Sequence, residues 1–443
     1  MKHEDNGQPA QQSELWAAPF ADKAIHASIT LTGSKSISNR ALILAALADS
    51  PSRIRSLLDA RDTQLMIQGL RALGVEIDIE GNDLAGNIHI LVTPHFLHGP
   101  AQIDVGLAGT VMRFLPPVAA LARGEIYFDG DAAARKRPMA TLLEALKDLG
   151  VSIDDRGRLP FLIHGTGHIR GGEVILDASR SSQFVSALLL SAARCESGAT
   201  IRHVPADLSN TASVPSLPHV HMTIAMLAQH GVTVHHTADS VWRVDPQEIG
   251  SVDCDIEGDL SNATPFFAAA MATGGSISCP DWPQPSLQPV DEVLAVFSAL
   301  GAVISRDGTV CTVSAPERMR GISADLSAIG EIAPTVAALC ALATSRSTLT
   351  GIGHLRGHET DRLAALAAEI NGLGGQVTEL PDSLVIDPVP LVGALFHTYE
   401  DHRMATAGAI LGLRVPGVLV ENIETTGKTI PNFAARWLEI LEQ

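Results

Sequence analysis

Six charge-free runs rich in Ala and Leu recur along the chain, at 41–48, 114–122, 184–193, 265–272, 332–343 and 404–413. A helix that is apolar on every side has to be covered, so each run predicts a helix in the interior. A polar or Gly-containing cluster precedes each one. The entry residues Ser36, Gly109, Ser182, Ser261, Glu331 and Asp401 stand 73, 73, 79, 70 and 70 positions apart. A period that regular marks six copies of one supersecondary unit.

A second helix series, at 65–73, 139–149, 290–300 and 363–373, carries charge on one face and closes at Gly74, Gly150, Gly301 and Gly374, as helix C-caps do. Short alternating segments such as 75–79 and 232–235 follow these caps and predict half-exposed strands. The unit is therefore helix, strand, helix, strand, strand. The all-apolar helices go inside and the sheets form the outer wall, the reverse of a doubly wound sheet. Six units predict two lobes of three. The break between them is expected near 257–259, where the fourth unit begins, and residues 1–14 are expected to be a disordered tail.

With 46% hydrophobic and 18% charged residues in 443, the chain is a globular α/β protein and neither a disordered tail nor a coiled coil. A net charge of −18 excludes a broad electrostatic grip on nucleic acid or an anionic membrane. Any anion site must gather its cations in one place. The five cysteines contain no C-x-x-C pair and read as buried small hydrophobes, so no metal or disulfide framework is expected. The N-terminus has no apolar segment of a secretory signal, and the longest stretches free of charge, 208–238 and 260–280, are broken by Pro, Gly, His and Ser. A cytoplasmic location is expected.

The polar side chains collect at the helix entries. A buried helix opening on a cleft offers free N–H groups and the positive end of its dipole, which suit an anion. The first entry, Gly33-Ser34-Lys35-Ser36-Ile37-Ser38-Asn39-Arg40, sets Lys35, hydroxyls and Arg40 around one helix start. The others hold Gly109 with Arg113, Ser181-Ser182-Gln183, Glu331, and Tyr399-Glu400-Asp401-His402-Arg403. A serine before a helix is usually only an N-cap; it is the recurrence that points to a ligand. Gly427-Lys428-Thr429 is no Walker A loop, since Asn422 stands where the upstream Gly belongs, and Gly165 with Gly167 and Gly351 with Gly353 lack the third Gly of a dinucleotide motif.

Seven ordered motifs now stand together: Gly33 to Arg40, Ala108-Gly109-Thr110-Val111-Met112-Arg113, Arg137-Pro138, Ser181-Ser182-Gln183, Glu359-Thr360-Asp361-Arg362, Asp401-His402-Arg403-Met404 and Lys428-Thr429-Ile430-Pro431. On these the sequence resembles the bacterial 5-enolpyruvylshikimate-3-phosphate synthases across most of its length. The resemblance implies a two-lobed inside-out α/β barrel of six βαβαββ-type repeats, with one lobe over 34–258, a second over 15–33 and 259–443, and hinge crossovers near 33 and 258. It implies transfer of the enolpyruvyl group of phosphoenolpyruvate to the 5-hydroxyl of shikimate 3-phosphate with release of phosphate, by addition and elimination. No cofactor is implied. The partners are the two small substrates, with no nucleic acid or membrane, and the expected state is a monomer.

By matching positions, Lys35, Ser36, Arg40, Ser181, Ser182, Gln183, Ser216, Glu331, His354 and His358 are expected to hold shikimate 3-phosphate. Lys35, Gly109, Arg137, Gln183, Arg362, Arg403 and Lys428 are expected to surround phosphoenolpyruvate. Glu331 is expected to take the hydroxyl proton and Glu359, if burial keeps it protonated, to protonate the enol methylene carbon. Lys35 is expected to assist phosphate departure. Three departures from the family pattern bear on these roles. Glu331 stands where Asp is frequent, His354 and His358 where Asn and Lys are frequent, and Phe114 where Pro is frequent. Imidazoles titrating near 6.5 predict a loss of shikimate 3-phosphate affinity above neutral pH.

A related enolpyruvyl transferase acting on UDP-N-acetylglucosamine typically uses a loop cysteine, and no Cys falls between Met1 and Arg194. An RNA-terminal phosphate cyclase would need a nucleotide-binding histidine motif that is not found. A non-catalytic anion scaffold would not be expected to keep both carboxylates and the six cations Lys35, Arg40, Arg137, Arg362, Arg403 and Lys428.

Overall fold

The computed structural model describes residues 14–206, 214–238 and 240–443. Residues 1–13, nearly all of the expected tail, lie outside the described residues. All six charge-free runs are helices: Lys35–Leu47, Gly109–Ala120, Gln183–Ala192, Leu260–Thr273, Ala333–Ala341 and His402–Gly412. Every residue of Gly109–Ala120, Ala333–Ala341 and His402–Gly412 is buried, and beyond Arg113 and Arg403 near their starts these segments carry no Asp, Glu, Lys or Arg. Five of the six begin ahead of their apolar runs, and the fifth in chain order follows a 3₁₀ turn at Gly330–Ile332. The first turns are polar because they face a cleft.

The second series is also helical, at Arg61–Ala72, Ala140–Asp148, Pro218–Gln229, Val290–Ala299, Arg362–Gly372 and Phe433–Glu442. Gly74 and Gly301 follow two of these helices at φ +97° and +104°, a conformation open to glycine and strained for other residues.

Five sheets have four strands and one has three, and one ladder recurs in them. Ala101–Asp104 runs parallel to Arg123–Asp129, which pairs antiparallel with Phe161–Thr166, which in turn pairs antiparallel with Ser152–Asp154. Strands bury one face only: in Ser52–Leu57, Ile54 is buried while Arg53 and Arg55 are exposed.

Two departures from a plain repeat were not visible in the sequence. The first and fourth units exchange their opening strands. His26–Ser28, ahead of the first helix, pairs with Ser276–Cys279, and Cys254–Asp255, ahead of the fourth, pairs with Ser52–Leu57. The sixth unit ends without its last two strands, and Leu15–Ala17 from the other end of the chain lies against its Leu419–Glu421. The two crossing segments bridge at Gly33 and Gly258, with Ser34 N–H donating to the Glu257 carbonyl at 2.7 Å and Asp259 N–H to that of Thr32 at 2.9 Å. Apolar side chains form two clusters, one drawn from residues 37–256, the other from 18–29 and 260–440. Among the described residues no helix is long and apolar enough to cross a membrane.

Candidate active site

One residue or more from each of the six helix entries lines a single hollow of about 720 Å³: Ser36, Gly109, Gln183, Ser261, Glu331 and Arg403. Two flanking hollows of about 390 Å³ each share Ser36, His219 and Glu331 with it. Neither Ser34 nor Ser182 makes a side-chain cap bond, whereas the aspartates Asp259 and Asp401 do. Two helix-start N–H groups have other side-chain partners: Gln183 N–H donates to Ser181 Oγ at 3.3 Å and Lys35 N–H to Asp259 Oδ2 at 3.2 Å.

Of the residues expected in the site, Lys35, Ser36, Arg40, Gly109, Arg137, Ser181, Ser182, Gln183, Ser216, Glu331, His354, His358, Glu359 and Arg403 line these hollows. Arg362 and Lys428, expected beside phosphoenolpyruvate, are not among the residues that line these hollows. Both stand behind Glu359. Lys428 Nζ contacts Glu359 Oε1, and Arg362 Nη2 lies 3.2 Å from Oε2. Arg362 is further gripped by Asp401, Nε to Oδ2 at 2.8 Å and Nη2 to Oδ1 at 3.1 Å. Asp401 also accepts from Arg403 N–H at 2.9 Å, so one buried carboxylate positions two of the expected cations.

Arg40 spends most of its donors on protein. Nε donates to Thr223 Oγ1 at 2.7 Å, Nη1 to the Ser36 carbonyl at 2.8 Å and Nη2 to the His219 carbonyl at 3.2 Å. Phe114, the departure expected to reshape the Gly109 turn, is fully buried under this guanidinium, 5.0 Å from ring centroid to Cζ.

Burial and mutual repulsion act on the cations of the hollow. Burial lowers Lys35 despite Asp62 at 3.5 Å, with Lys428 and Arg403 adding to the shift. Burial and Arg137 hold Arg113 well below its usual value. The buried Nε atoms of Arg113, Arg137 and Arg403 make no hydrogen bond among the described residues. Positive charge crowded this way is relieved by an anion.

The carboxylates answer the opposite way. Burial pushes Glu331 up, but His219, His358 and Arg403 outweigh it and hold its carboxyl well below the usual range. Glu359 is likewise raised by burial and lowered further by Lys428, Arg362 and Arg137. Without ligand both are ionised; the donor role expected of Glu359 requires it to be protonated in the complex. Burial lowers His354, and burial with Arg362 sets His358 well below its usual value. These imidazoles are therefore neutral at neutral pH, and the loss of affinity expected above it is corrected: calorimetric titration with shikimate 3-phosphate should give a dissociation constant that is flat between about pH 7 and 8. A steady rise across that range would show that ligand protonates them.

Arg113, Arg180 and His219 also line the hollows, with no role assigned to them from the sequence. Arg113 lies inside a quoted motif four residues after Gly109, so it shares that residue's face of the helix, and this spacing was the available signal. It donates to Gln183 Oε1 at 2.6 Å. Arg180 precedes the Ser181 entry, and His219 opens an amphipathic helix; neither carries a local signal.

A Cβ at Gly109 would come within 3.0 Å of Arg137 Nη2 and 3.3 Å of Arg113 Nη1. Both contacts are far ends of flexible side chains, so Gly109→Ala should fold. The methyl group takes space in the hollow that a phosphoenolpyruvate mimic longer than the substrate, such as glyphosate, would need. Inhibition by glyphosate should weaken roughly tenfold, about 1.4 kcal/mol, with KM for phosphoenolpyruvate changed less. Unchanged inhibition would show that residue 109 does not line that pocket.

A cleft of buried cations and two ionised carboxylates, fed by six helix starts, defines an enzyme that works on small polyanions. Residues 21–437 match the family model of EPSP synthase (3-phosphoshikimate 1-carboxyvinyltransferase). A 3-phosphoshikimate 1-carboxyvinyltransferase of Kocuria rhizophila is 51% identical, over 98% of each chain. Two structures of EPSP synthase from Acinetobacter baumannii superpose with a TM-score of 0.76 at 22% identity, covering 96% of this chain and 97% and 98% of theirs. The chain belongs to the EPSP synthase family. It is a transferase of the shikimate pathway that moves the enolpyruvyl group of phosphoenolpyruvate to the 5-hydroxyl of shikimate 3-phosphate.

Proposed function

We propose that the six-entry hollow holds both substrates at once. Shikimate 3-phosphate lies against Ser36, Arg40, Ser181, Ser182, Ser216, His354 and His358. Phosphoenolpyruvate lies against Lys35, Gly109, Arg137 and Arg403, joined by Arg113, with Gln183 between the two ligands. Like charges at such separations repel by several kcal/mol in a partly dry site, and the crowded cations offset this.

Glu331, already a carboxylate, accepts the 5-hydroxyl proton as the oxygen bonds to C2 of phosphoenolpyruvate. Glu359 delivers a proton to C3. It is ionised in the empty cleft, so it must first take one up, and the arrival of two anions beside Lys428 and Arg362 favours that. Elimination then returns the C3 proton to Glu359 as the C2–O bond to phosphate breaks, with Lys35 neutralising the leaving group. Residues 34–258 form one lobe and 15–33 with 259–443 the other, in an inside-out arrangement that closes on ligand about the paired crossovers at 33 and 258. Support comes from the exchange of opening strands and the two separate apolar clusters.

The observation that carries this reading is the convergence of all six entries on one hollow between Glu331 and Glu359. Phosphate release should require both substrates together. Release from phosphoenolpyruvate alone at the same rate would overturn it.

A further inference from the structure

His219 is the second residue of the helix Pro218–Gln229, and its ring Nε2 lies 3.0 Å from Glu331 Oε2. Among the described residues the Glu331 carboxylate, whose side chain is 28% exposed, makes this one hydrogen bond. An ionised carboxylate only accepts, so Nε2 carries the hydrogen and donates it. The His219 backbone is fixed as firmly: its carbonyl accepts from Arg40 Nη2 at 3.2 Å and from Thr223 Oγ1 at 2.9 Å. The ring is thus tied through Arg40 to the buried floor of the cleft. Both His219 and Glu331 border all three hollows.

We infer that His219 is the positioning residue of Glu331: its Nε2–H holds Oε2 and leaves Oε1 turned to the hollow to receive the substrate's hydroxyl proton. The inference rests on the reading of Glu331 as base. A glutamate has three side-chain torsions, so a base without this tether would sample orientations that miss the hydroxyl. When the O–H bond breaks and the oxygen bonds to C2, the proton resides on Oε1, and the neutral acid keeps its bond to His219. Other groups act on Glu331 as well: Arg40 from the first helix, His354 and His358 from the turn at Gly353–Gly357 and just after it, Arg362, and Arg403 from the sixth entry. Asp259 shares the flanking hollow. Removing His219 deletes one contribution and leaves these in place.

The test compares His219→Ala, His219→Gln and Glu331→Gln by steady-state phosphate release against pH, with melting temperatures for each. His219→Ala should lower the plateau kcat by about tenfold or more and leave KM for phosphoenolpyruvate and the melting temperature near wild type. It should also move the acid limb of kcat upward by roughly one pH unit, because a carboxyl no longer held down needs a higher pH to ionise. His219→Gln, whose amide N–H also donates but carries no charge, should recover most of kcat while the limb moves part of the way. If the limb stays in place in His219→Ala, or Gln recovers no more kcat than Ala, the inference falls. If Glu331→Gln keeps wild-type kcat, the base assignment falls and the inference with it. A large loss in Glu331→Gln beside an unmoved limb in His219→Ala overturns the inference alone.

Discussion

Replacing Glu359 with glutamine is expected to lower kcat by about 10²- to 10⁴-fold, the range general acid–base groups supply. The amide cannot shuttle a proton to and from the methylene carbon. It also disturbs the charge balance behind the cleft, because Glu359 is the shared partner of Lys428 and Arg362. One end of the amide is a donor and would face one of these cations. A loss of about 1–3 kcal/mol of stability should accompany the change, since Arg362 keeps Asp401 while Lys428 loses an ionic partner. Quench-flow measurement of phosphate release separates the two effects, as a merely weakened fold would leave turnover of the folded fraction intact. A kcat within tenfold of wild type would remove Glu359 from the chemistry.

Asp401→Asn should give the larger effect on the fold. Asp401 is fully buried, binds Arg362 through both oxygens and caps the helix His402–Gly412 through Arg403 N–H. An asparagine retains one acceptor and places an NH₂ group against a guanidinium with nowhere to turn. Removing one partner of a buried ion pair costs about 3–5 kcal/mol. The segment has little slack to absorb it. Tyr399 and Glu400 precede Asp401 with φ of +56° and +58°, and the Tyr399 hydroxyl is tied to Glu369 Oε1 at 2.5 Å. Urea denaturation should show the midpoint falling markedly, and an unchanged midpoint would mean Arg362 finds compensation elsewhere.

The periodic helices were readable because an interior helix has to exclude charge on every side, and that leaves a signature no surface helix shares. Their true starts were not, because Lys35, Ser36 and Arg40 are already helical while lining the hollows, so the apolar run begins a turn late. The exchanged strands were hidden for a different reason. His26–Ser28 and Cys254–Asp255 are three and two residues long, too short to show alternation, and what fixes them is a partner sheet in another unit. Many of the site residues were legible through motifs: Lys35, Ser36, Gly109, Ser182, Glu331 and Arg403 stand at or beside recurring entries, while Arg137 and Glu359 were reached only through the resemblance. The ion pairs behind Glu359 were half legible: Glu359 and Arg362 sit three apart on one helix start, while Lys428 is 69 residues on. The charge states of Glu331, Glu359, His354 and His358 were not, because burial and neighbours distant in sequence decide them. His219 and Glu331 are 112 residues apart and meet only in the fold.

The strand Leu15–Ala17 pairs in register with Leu419–Glu421, about the widest separation the chain permits. During synthesis the segment 34–258 contains every strand of its three sheets, Cys254–Asp255 included, and is free to condense once residue 258 clears the ribosome. The amino-terminal strands have no partner within it. His26–Ser28 waits for Ser276–Cys279 and Leu15–Ala17 for Leu419–Glu421, so the nascent chain carries an unpaired strand until that late segment is made, and the pairing is slowed by the search that long-range contacts demand.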